Sequence, residues 1–163
     1  MKMRKQKGFS LIELLIVVAI ILIIAAIAIP NLLRSRIAAN EASAVGSMRT
    51  INTAETTYNS TYPTIGYTGT LVNLATNGGS CATPTSTSAC LIDDTLSQAT
   101  TTTTPKSGYY FTLTISSALG YTLLGTPAKA GSTGVKNFYT DGTAVIKYTT
   151  DGTAATVTSP SIQ

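Results

Sequence analysis

The amino-terminal segment carries a Gly8–Phe9 junction and, four residues after Phe9, the carboxylate of Glu13. The eight residues up to the junction hold four of the 11 basic residues and no acid, and the 21 residues that follow are apolar except for Ser10 and Glu13. A basic leader, a glycine and an apolar segment of this kind indicate a processing site, at which cleavage of the Gly8–Phe9 bond creates an ammonium group on Phe9. An ammonium and a carboxylate attract each other strongly at low dielectric when both are charged and close.

Glu13 lies inside the apolar segment, where an ionised acid costs about 2.5–3.5 kcal/mol and is functional by default. One alternative is that Glu13 lies close enough to the membrane interface to reach water or to take up a proton. The amine of the same chain lies at the frayed end of the helix, whereas a neighbouring helix shifted along its axis can bring its own Phe9 amine to Glu13. We therefore expect an ion pair between copies, which sets the register of a stack of helices.

The apolar segment 9–29 is long enough to cross a membrane, since a hydrocarbon core of about 30 Å needs roughly 20 residues. A secretory signal has a shorter apolar core of about 7–15 residues and is cleaved after it. A simple amino-terminal anchor is the second alternative, but it does not explain Glu13. The leader cations outnumber Arg34 and Arg36, so the positive-inside rule predicts a cytoplasmic amino terminus and an exported carboxy-terminal part.

The composition predicts neither an enzyme nor a nucleic-acid-binding protein. Beyond the leader, the chain has seven basic and seven acidic residues. Nucleic-acid binding needs a clustered basic surface. The chain has no histidine, which removes Ser–His and Cys–His nucleophiles, and we expect no cofactor and no metal site. The acids Asp141 and Asp151 precede glycines and indicate turns, whereas Asp93–Asp94 fits either a cation site or a helix cap.

The segment GFSLIELLIVVAIILIIAAIAIPNL resembles the prepilin amino terminus that type IV pilins share with the pseudopilins of type II secretion. Gly8, Phe9, Glu13, the apolar run and Pro30 stand at the family's mutual spacing. The resemblance implies that a prepilin peptidase cuts between Gly8 and Phe9 and N-methylates Phe9. It also implies that an inner-membrane assembly platform moves subunits from the lipid into a helical homopolymer whose core is the bundled amino-terminal helices.

One helix is predicted to continue from Phe9 to about Ser60–Tyr62, since Pro63 disfavours the helical conformation of the residue before it. A helix of about 53 residues is roughly 80 Å long, and its first half needs burial in lipid or among other copies. Beyond Pro30, apolar residues recur near the helical period and form one stripe: Ile37, Ala44, Val45, Met48, Ile51, Tyr58 and Tyr62.

Two residues are candidate weak points of this helix. Pro30 removes the hydrogen bond to the Ala26 carbonyl and costs about 3 kcal/mol in a water-facing helix. It is either a static kink or a break that lengthens when a filament forms or is pulled, and the resemblance favours the break. Gly46 is either a second weak point or a small residue against which a sheet packs closely.

The outer domain, residues 63–163, is predicted to add a small antiparallel sheet to the helix, giving an α+β pilin-like fold. The threonine-rich composition favours strands with one wet face, at Tyr109–Ile115, Tyr121–Thr126, Lys136–Thr140 and Ala144–Thr149. Alternation places Tyr109, Phe111, Leu113 and Ile115 on one face, against Val45, Met48 and Ile51, and Asp141–Gly142 indicates a two-residue hairpin. The predicted organisation is a leader (1–8), a membrane or filament-core helix (9–29), an amphipathic half (30–62), a polar loop (63–107), a sheet (108–150) and a flexible tail (151–163).

The polar loop holds Cys81 and Cys90, the only cysteines of the chain. In an oxidising compartment outside the inner membrane we expect them to form a disulfide. Disulfide-bonded pilins typically place the bond nearer the carboxy terminus, so the family's role for it is not transferred. The Thr100–Thr104 run is either a solvated spacer or part of a binding surface.

The sequence thus predicts a structural subunit, the major pilin of a type IV pilus, for motility or adhesion. It is expected in the inner membrane with a periplasmic carboxy-terminal domain before assembly, and in an extracellular filament afterwards. The alternative is a major pseudopilin of type II secretion; these usually carry a calcium site of clustered acids near the carboxy terminus, where this chain has Asp151 alone. A further alternative is a minor tip subunit for adhesion or DNA uptake.

Overall fold

The computed structural model describes residues 8–78, 81–116 and 120–162. The predicted leader, residues 1–7, lies outside the described residues, and so does Gln163 of the predicted tail. The chain divides into two units, Met1–Ser35 and Arg36–Gln163. The described helices and strands are α1 (Leu11–Thr61), α2 (Leu71–Leu74), α3 (Asp94–Ser97), β1 (Tyr109–Ser116), β2 (Gly120–Pro127), β3 (Asn137–Asp141) and β4 (Lys147–Thr149).

Helix α1 is continuous through Pro30 and ends at Thr61, just before the residue that Pro63 disfavours in a helix. Its part in the second unit buries one stripe at helical spacing: Ala44, Met48, Ile51, Ala54, Glu55 and Tyr58. Gly46 lies on the opposite, exposed side, and a Cβ built on it meets nothing within 4 Å among the described residues. The expected close packing of a sheet against Gly46 is therefore wrong.

The four strands form one antiparallel sheet in the order β1-β2-β3-β4. The register pairs Tyr109 with Pro127 and Leu113 with Leu123. Tyr109, Phe111 and Leu113 are buried as the alternation predicts, but Ile115 near the end of β1 is 55% exposed. A Cβ built on Gly125 would contact the Met48 sulfur at 3.1 Å, so β2 lies directly on the buried stripe of α1.

The predicted two-residue hairpin at Asp141–Gly142 is wrong, because β3 ends at Asp141 and β4 begins only at Lys147. A type I′ hairpin needs positive φ at both central residues, and the positive-φ residue of this connection is Ala144 (φ 60°). The Asp141 carboxylate accepts hydrogen bonds from the amide and hydroxyl of Thr143 at 2.9 and 2.6 Å. This local side-chain bonding competes with the tight hairpin and gives a longer turn.

Two regions predicted to be polar and irregular are packed onto the core. Within 63–107, two short helices bury Leu71, Leu74 and Leu96. In the predicted flexible tail, Tyr148 N donates to Pro160 O and Ile162 N donates to Ile146 O, both at 2.9 Å. Burial of a few isolated apolar side chains and pairing along an edge strand order these segments, although neither segment has a periodic pattern.

Candidate processing and assembly site

The backbone of the Gly8–Phe9 junction is accessible. Gly8, Phe9 and Ser10 precede the first residue of α1, and the Phe9 side chain is 90% exposed. A Cβ built on Gly8 meets nothing within 4 Å among the described residues. Any requirement for a small residue at this position therefore comes from outside the described part of the chain.

Ser10 and Glu13 cap the start of α1. The Ser10 amide donates to Glu13 Oε2 at 2.8 Å, and the Ile12 amide donates to Ser10 Oγ at 3.4 Å. The Glu13 bond is the glutamate half of a capping box, and the Ser10 hydroxyl binds the second amide of the helix rather than the third. This role is not among the sequence predictions for Glu13, although Ser-x-x-Glu before an apolar run is its signature in sequence.

The cap places Glu13 at the amino-terminal end of the helix dipole, which favours a negative charge there. One carboxylate oxygen is bound within the chain, and the hydrogen bond comes from the Ser10 amide rather than from Phe9. The predicted partner in a second copy is not part of a single chain. The capping role and the pairing role of Glu13 thus require different properties: an acceptor oxygen for the first and a negative charge for the second.

The apolar part of α1 is uncovered. Its apolar stretch is long enough to cross a membrane, and none of that stretch is buried. The large side chains from Leu11 to Leu32 are roughly half to four-fifths exposed. Apolar surface of this extent marks a membrane or protein contact.

Polar side chains hold the second half of α1 in the carboxy-terminal unit. Asn40 Nδ2 donates to Thr133 O at 2.8 Å, and Glu41 Oε1 accepts from the amides of Val135 and Lys136 at 3.0 and 3.2 Å. The Lys136 ammonium lies 3.2 Å from Glu41 Oε2. Helical periodicity places Asn40 and Glu41 on the polar side, so these contacts do not follow from the sequence pattern.

Cys81 and Cys90 are joined by a disulfide, with their Cα atoms 5.8 Å apart. The loop between them contacts α1, because Tyr58 Oη donates to Ser86 O at 2.7 Å. Its carboxy-terminal end lies along α2, where Ala89 N donates to Asn73 O at 2.9 Å. The disulfide loop is therefore held at several points besides the sulfur–sulfur bond.

Asp93 and Asp151 serve local structure. Asp93 caps α3 through the Leu96 amide at 3.1 Å, which is the helix-cap alternative for Asp93–Asp94. Hydrogen bonding from Thr95, with help from Lys106, lowers the pKa of Asp93. Asp151 accepts from the Thr153 amide at 3.0 Å in a turn. Among the described residues, no group of three or more acids or cysteines is arranged to hold a metal ion.

Comparison with known proteins identifies the amino-terminal segment. Residues 3–29 match the family model described as the prokaryotic N-terminal methylation motif. The type IV wide pilus major component PilA4 of Thermus thermophilus is 67% identical over 39 residues, which cover 24% of this chain and 30% of that protein. The type IV major pilin protein PilA of Myxococcus xanthus is 43% identical over 54 residues, 33% of this chain and 24% of that protein.

A relative from a different machinery also matches. The type II secretion system core protein G of Vibrio cholerae is 42% identical over 66 residues, 39% of this chain and 45% of that protein. The matches thus span less than half the length of these curated relatives. None of the three is described as an enzyme. No solved structure matches the chain significantly.

Proposed function

We propose that this chain, whose amino-terminal part is similar to type IV pilins and to a type II secretion core protein, is the major structural subunit of a type IV pilus. The filament serves motility or adhesion and is a helical homopolymer of the processed chain. The observation that carries the proposal is the uncovered apolar part of α1, most of which lies within the methylation motif at residues 3–29. Such a helix needs lipid before assembly and other copies afterwards.

Processing is the first step of the proposal. A prepilin peptidase cuts the Gly8–Phe9 bond and methylates the new amine of Phe9. The junction precedes the helix and is exposed, so it can enter a protease without unfolding of α1. The described residues leave a Cβ at position 8 unhindered, so selection against larger residues there is assigned to the peptidase.

Pairing is the second step. The amine of Phe9 in one copy binds the Glu13 carboxylate of a neighbour, while Glu13 Oε2 continues to accept from the Ser10 amide of its own chain. Removal of one partner of a buried ion pair typically costs about 3–5 kcal/mol, because the other charge stays buried and unpaired. Repeated at every subunit contact, that cost decides whether a filament forms.

Location follows from the same residues. Residues 9–29 cross the inner membrane before assembly, with the leader in the cytoplasm and the carboxy-terminal unit in the periplasm. The disulfide between Cys81 and Cys90 fits an oxidising compartment. An inner-membrane assembly platform then moves the subunit out of the lipid. Pro30 lacks a hydrogen bond in the continuous helix and is the proposed point at which α1 lengthens under load.

A second candidate is a type II secretion pseudopilin. The match to core protein G spans 66 residues, compared with 39 and 54 residues for the two pilins, and this longer match is the observation for this candidate. Both candidate functions use the same amino-terminal processing, and they differ in the assembly that the processed chain forms. A long surface filament that depends on this chain supports the pilus, whereas loss of protein secretion without loss of surface filaments supports the pseudopilin.

Two substitutions of Glu13 separate pairing from capping. Glu13→Gln keeps an oxygen for the Ser10 amide, since glutamine also completes a capping box, but removes the charge. We expect Glu13→Gln and Glu13→Ala to insert and to be cleaved normally, and to yield few or no filaments. Filaments are counted by electron microscopy of the sheared fraction, and cleavage is followed by the mass of the membrane-bound chain.

The matched control is Ser10→Ala, which removes the capping hydroxyl and keeps the charge of Glu13. It is expected to form filaments at near-normal abundance. Normal filaments from Glu13→Gln together with none from Glu13→Ala would show that Glu13 acts only as a helix cap. Normal filaments from both variants would refute any assembly role for this carboxylate.

A further inference from the structure

Glu55 is an acid in the core of the carboxy-terminal unit. It lies on the buried stripe of α1 and is 0% exposed. Asp141, the other buried acid among the described residues, accepts hydrogen bonds from Tyr139 and Thr143. Glu55 accepts fewer hydrogen bonds that could stabilise a negative charge. Neither the proposed processing site nor the proposed pairing uses it.

The carboxyl group of Glu55 has one hydrogen-bond partner. Oε2 accepts from the Thr68 amide at 3.0 Å, whereas Oε1 is buried and has no partner among the described residues. The described ion pairs are Lys106–Asp93 and Lys136–Glu41, so no cation neutralises Glu55 there. A buried carboxylate without a cation is strongly disfavoured, and such a group takes up a proton instead.

The titratable groups nearest to Glu55 are phenols that donate elsewhere. Tyr58 on α1 donates to Ser86 O at 2.7 Å, and Tyr121 on β2 donates to Asn52 Oδ1 at 3.0 Å. Burial raises the pKa of both phenols from an ordinary value of 10.0, so neither changes charge near neutral pH. The proton on Glu55 is therefore the variable charge at this position.

The residue that Glu55 binds belongs to a small folded segment. Residues 62–73, here called the Thr68 segment, run from the end of α1 into α2. Within it, Thr68 Oγ1 accepts from Asn73 Nδ2 at 3.1 Å and from the Thr70 amide at 3.3 Å. The Thr68 amide joins this network to α1 through Glu55. A change at Glu55 therefore acts on the whole segment.

We propose that Glu55 is a pH-sensitive switch that holds the Thr68 segment on α1 when its carboxyl group is neutral and releases the segment when the group is ionised. Ionisation transfers the proton to solvent and leaves a negative charge in the core. The one amide of Thr68 stabilises that charge only in part, since Oε1 stays buried and unpaired. Outward movement of the segment admits water to the carboxylate and removes this cost.

The pH range of the switch follows from the burial. Burial raises the pKa of Glu55 from 4.5 to about 7, and the Thr68 amide offsets the rise in part. Between these two values the folded chain keeps a proton that the opened chain loses, so the closed form is favoured at low pH. Its advantage is complete below pH 4.5 and is lost as the pH rises through about 7.

Hydrogen exchange on the full-length chain in detergent micelles tests the switch. The protection factor of the Thr68 amide is measured from pH 5 to pH 9. We expect it to fall on the order of 100-fold in the native chain, the factor set by the two pKa values. In Glu55→Gln, which stays neutral, we expect a change of less than about threefold.

The internal control is the Val135 amide, which binds the ion-paired carboxylate of Glu41 and is expected to keep its protection. The matched variant is Glu41→Gln, which is expected to leave the pH dependence at Thr68 unchanged. A direct measurement that needs no variant is the NMR titration of the Glu55 carboxyl carbon. A midpoint near 7 supports the switch; a midpoint near 4.5, or constant protection of Thr68 across the range, overturns it.

Discussion

A buried polar network on α1 gives a prediction that tests how the helix is held on the sheet. Asn52 is 5% exposed and bonds to two strands. Its Nδ2 donates to Thr140 Oγ1 at 3.2 Å, and its Oδ1 accepts from Tyr121 Oη at 3.0 Å. Tyr121→Phe leaves Oδ1 without this donor, and Thr140→Val leaves Nδ2 without this acceptor. Each orphaned buried group costs about 1–3 kcal/mol.

Removal of the whole network is expected to cost much less than the separate changes suggest. Asn52→Leu alone orphans both hydroxyls, for about 2–6 kcal/mol together. The triple variant Asn52→Leu/Tyr121→Phe/Thr140→Val replaces every partner with an apolar group of similar shape, which can be nearly neutral. We therefore expect the loss of unfolding free energy in the triple variant to be at least about 2 kcal/mol smaller than the sum of the losses in the three single variants.

Urea unfolding of the full-length chain in detergent, at fixed pH and followed by tyrosine circular dichroism, measures these free energies. Tyr110→Phe is the control, since the Tyr110 hydroxyl is half-buried and has no hydrogen bond to the described residues. We expect this control to lie within about 0.5 kcal/mol of the native chain. Single variants that lose less than about 0.5 kcal/mol of unfolding free energy would refute the network. A triple variant whose loss equals the sum of the single losses would also refute it.

Two further predictions concern the disulfide and the glycines. Cys81 and Cys90 are nine residues apart, so the double variant Cys81→Ser/Cys90→Ser should lose about 2.5–3 kcal/mol of unfolding free energy; reduction of the native chain should give the same loss and leave the variant unchanged. Gly46→Ala has open space around its Cβ and should stabilise α1 by about 0.5–1 kcal/mol. Gly134→Ala places a methyl group against the buried ring of Tyr109 and should cost at least about 1–3 kcal/mol. Equal urea-unfolding midpoints for the two alanine variants would contradict the packing described around these glycines.

Local patterns in the sequence predict the long helix and most of the sheet. The end of α1 at Thr61 follows from Pro63. Strand β1 follows from alternation of Tyr109, Phe111 and Leu113, and β1 and β2 both lie within a residue or two of their predicted bounds. These features depend on neighbours in sequence, which is why a single chain suffices to find them.

Features that depend on side-chain contacts outside the local pattern are not predicted from the sequence. The hairpin at Asp141–Gly142 has the right residues, but the side chain of Asp141 bonds to Thr143 and changes the turn. The predicted polar loop contains few apolar residues, yet Leu74 and Leu96 reach a core that other elements form. Glu55 has the spacing of a core residue on α1, and only its polarity suggests solvent.

The proposed processing site depends on residues that are close together in the sequence. Gly8, Phe9 and Glu13 are predicted from their types and spacing alone, because the proposed cleavage and methylation act on a short contiguous segment. The capping box at Ser10 and Glu13 is equally local, and its signature was present in the same residues. The proposed partner of Glu13 cannot be read from this segment, because the amine comes from another copy of the chain.

Mass spectrometry of filaments sheared from the native cell tests whether this chain is a processed filament subunit. We expect the dominant chain to begin at an N-methylated Phe9, to lack residues 1–8 and to end in the sequence of the carboxy-terminal unit. The same preparation should lose this chain when Glu13 is replaced by glutamine. A native chain that keeps Met1, remains monomeric in the membrane and is absent from every filament would refute the proposed function.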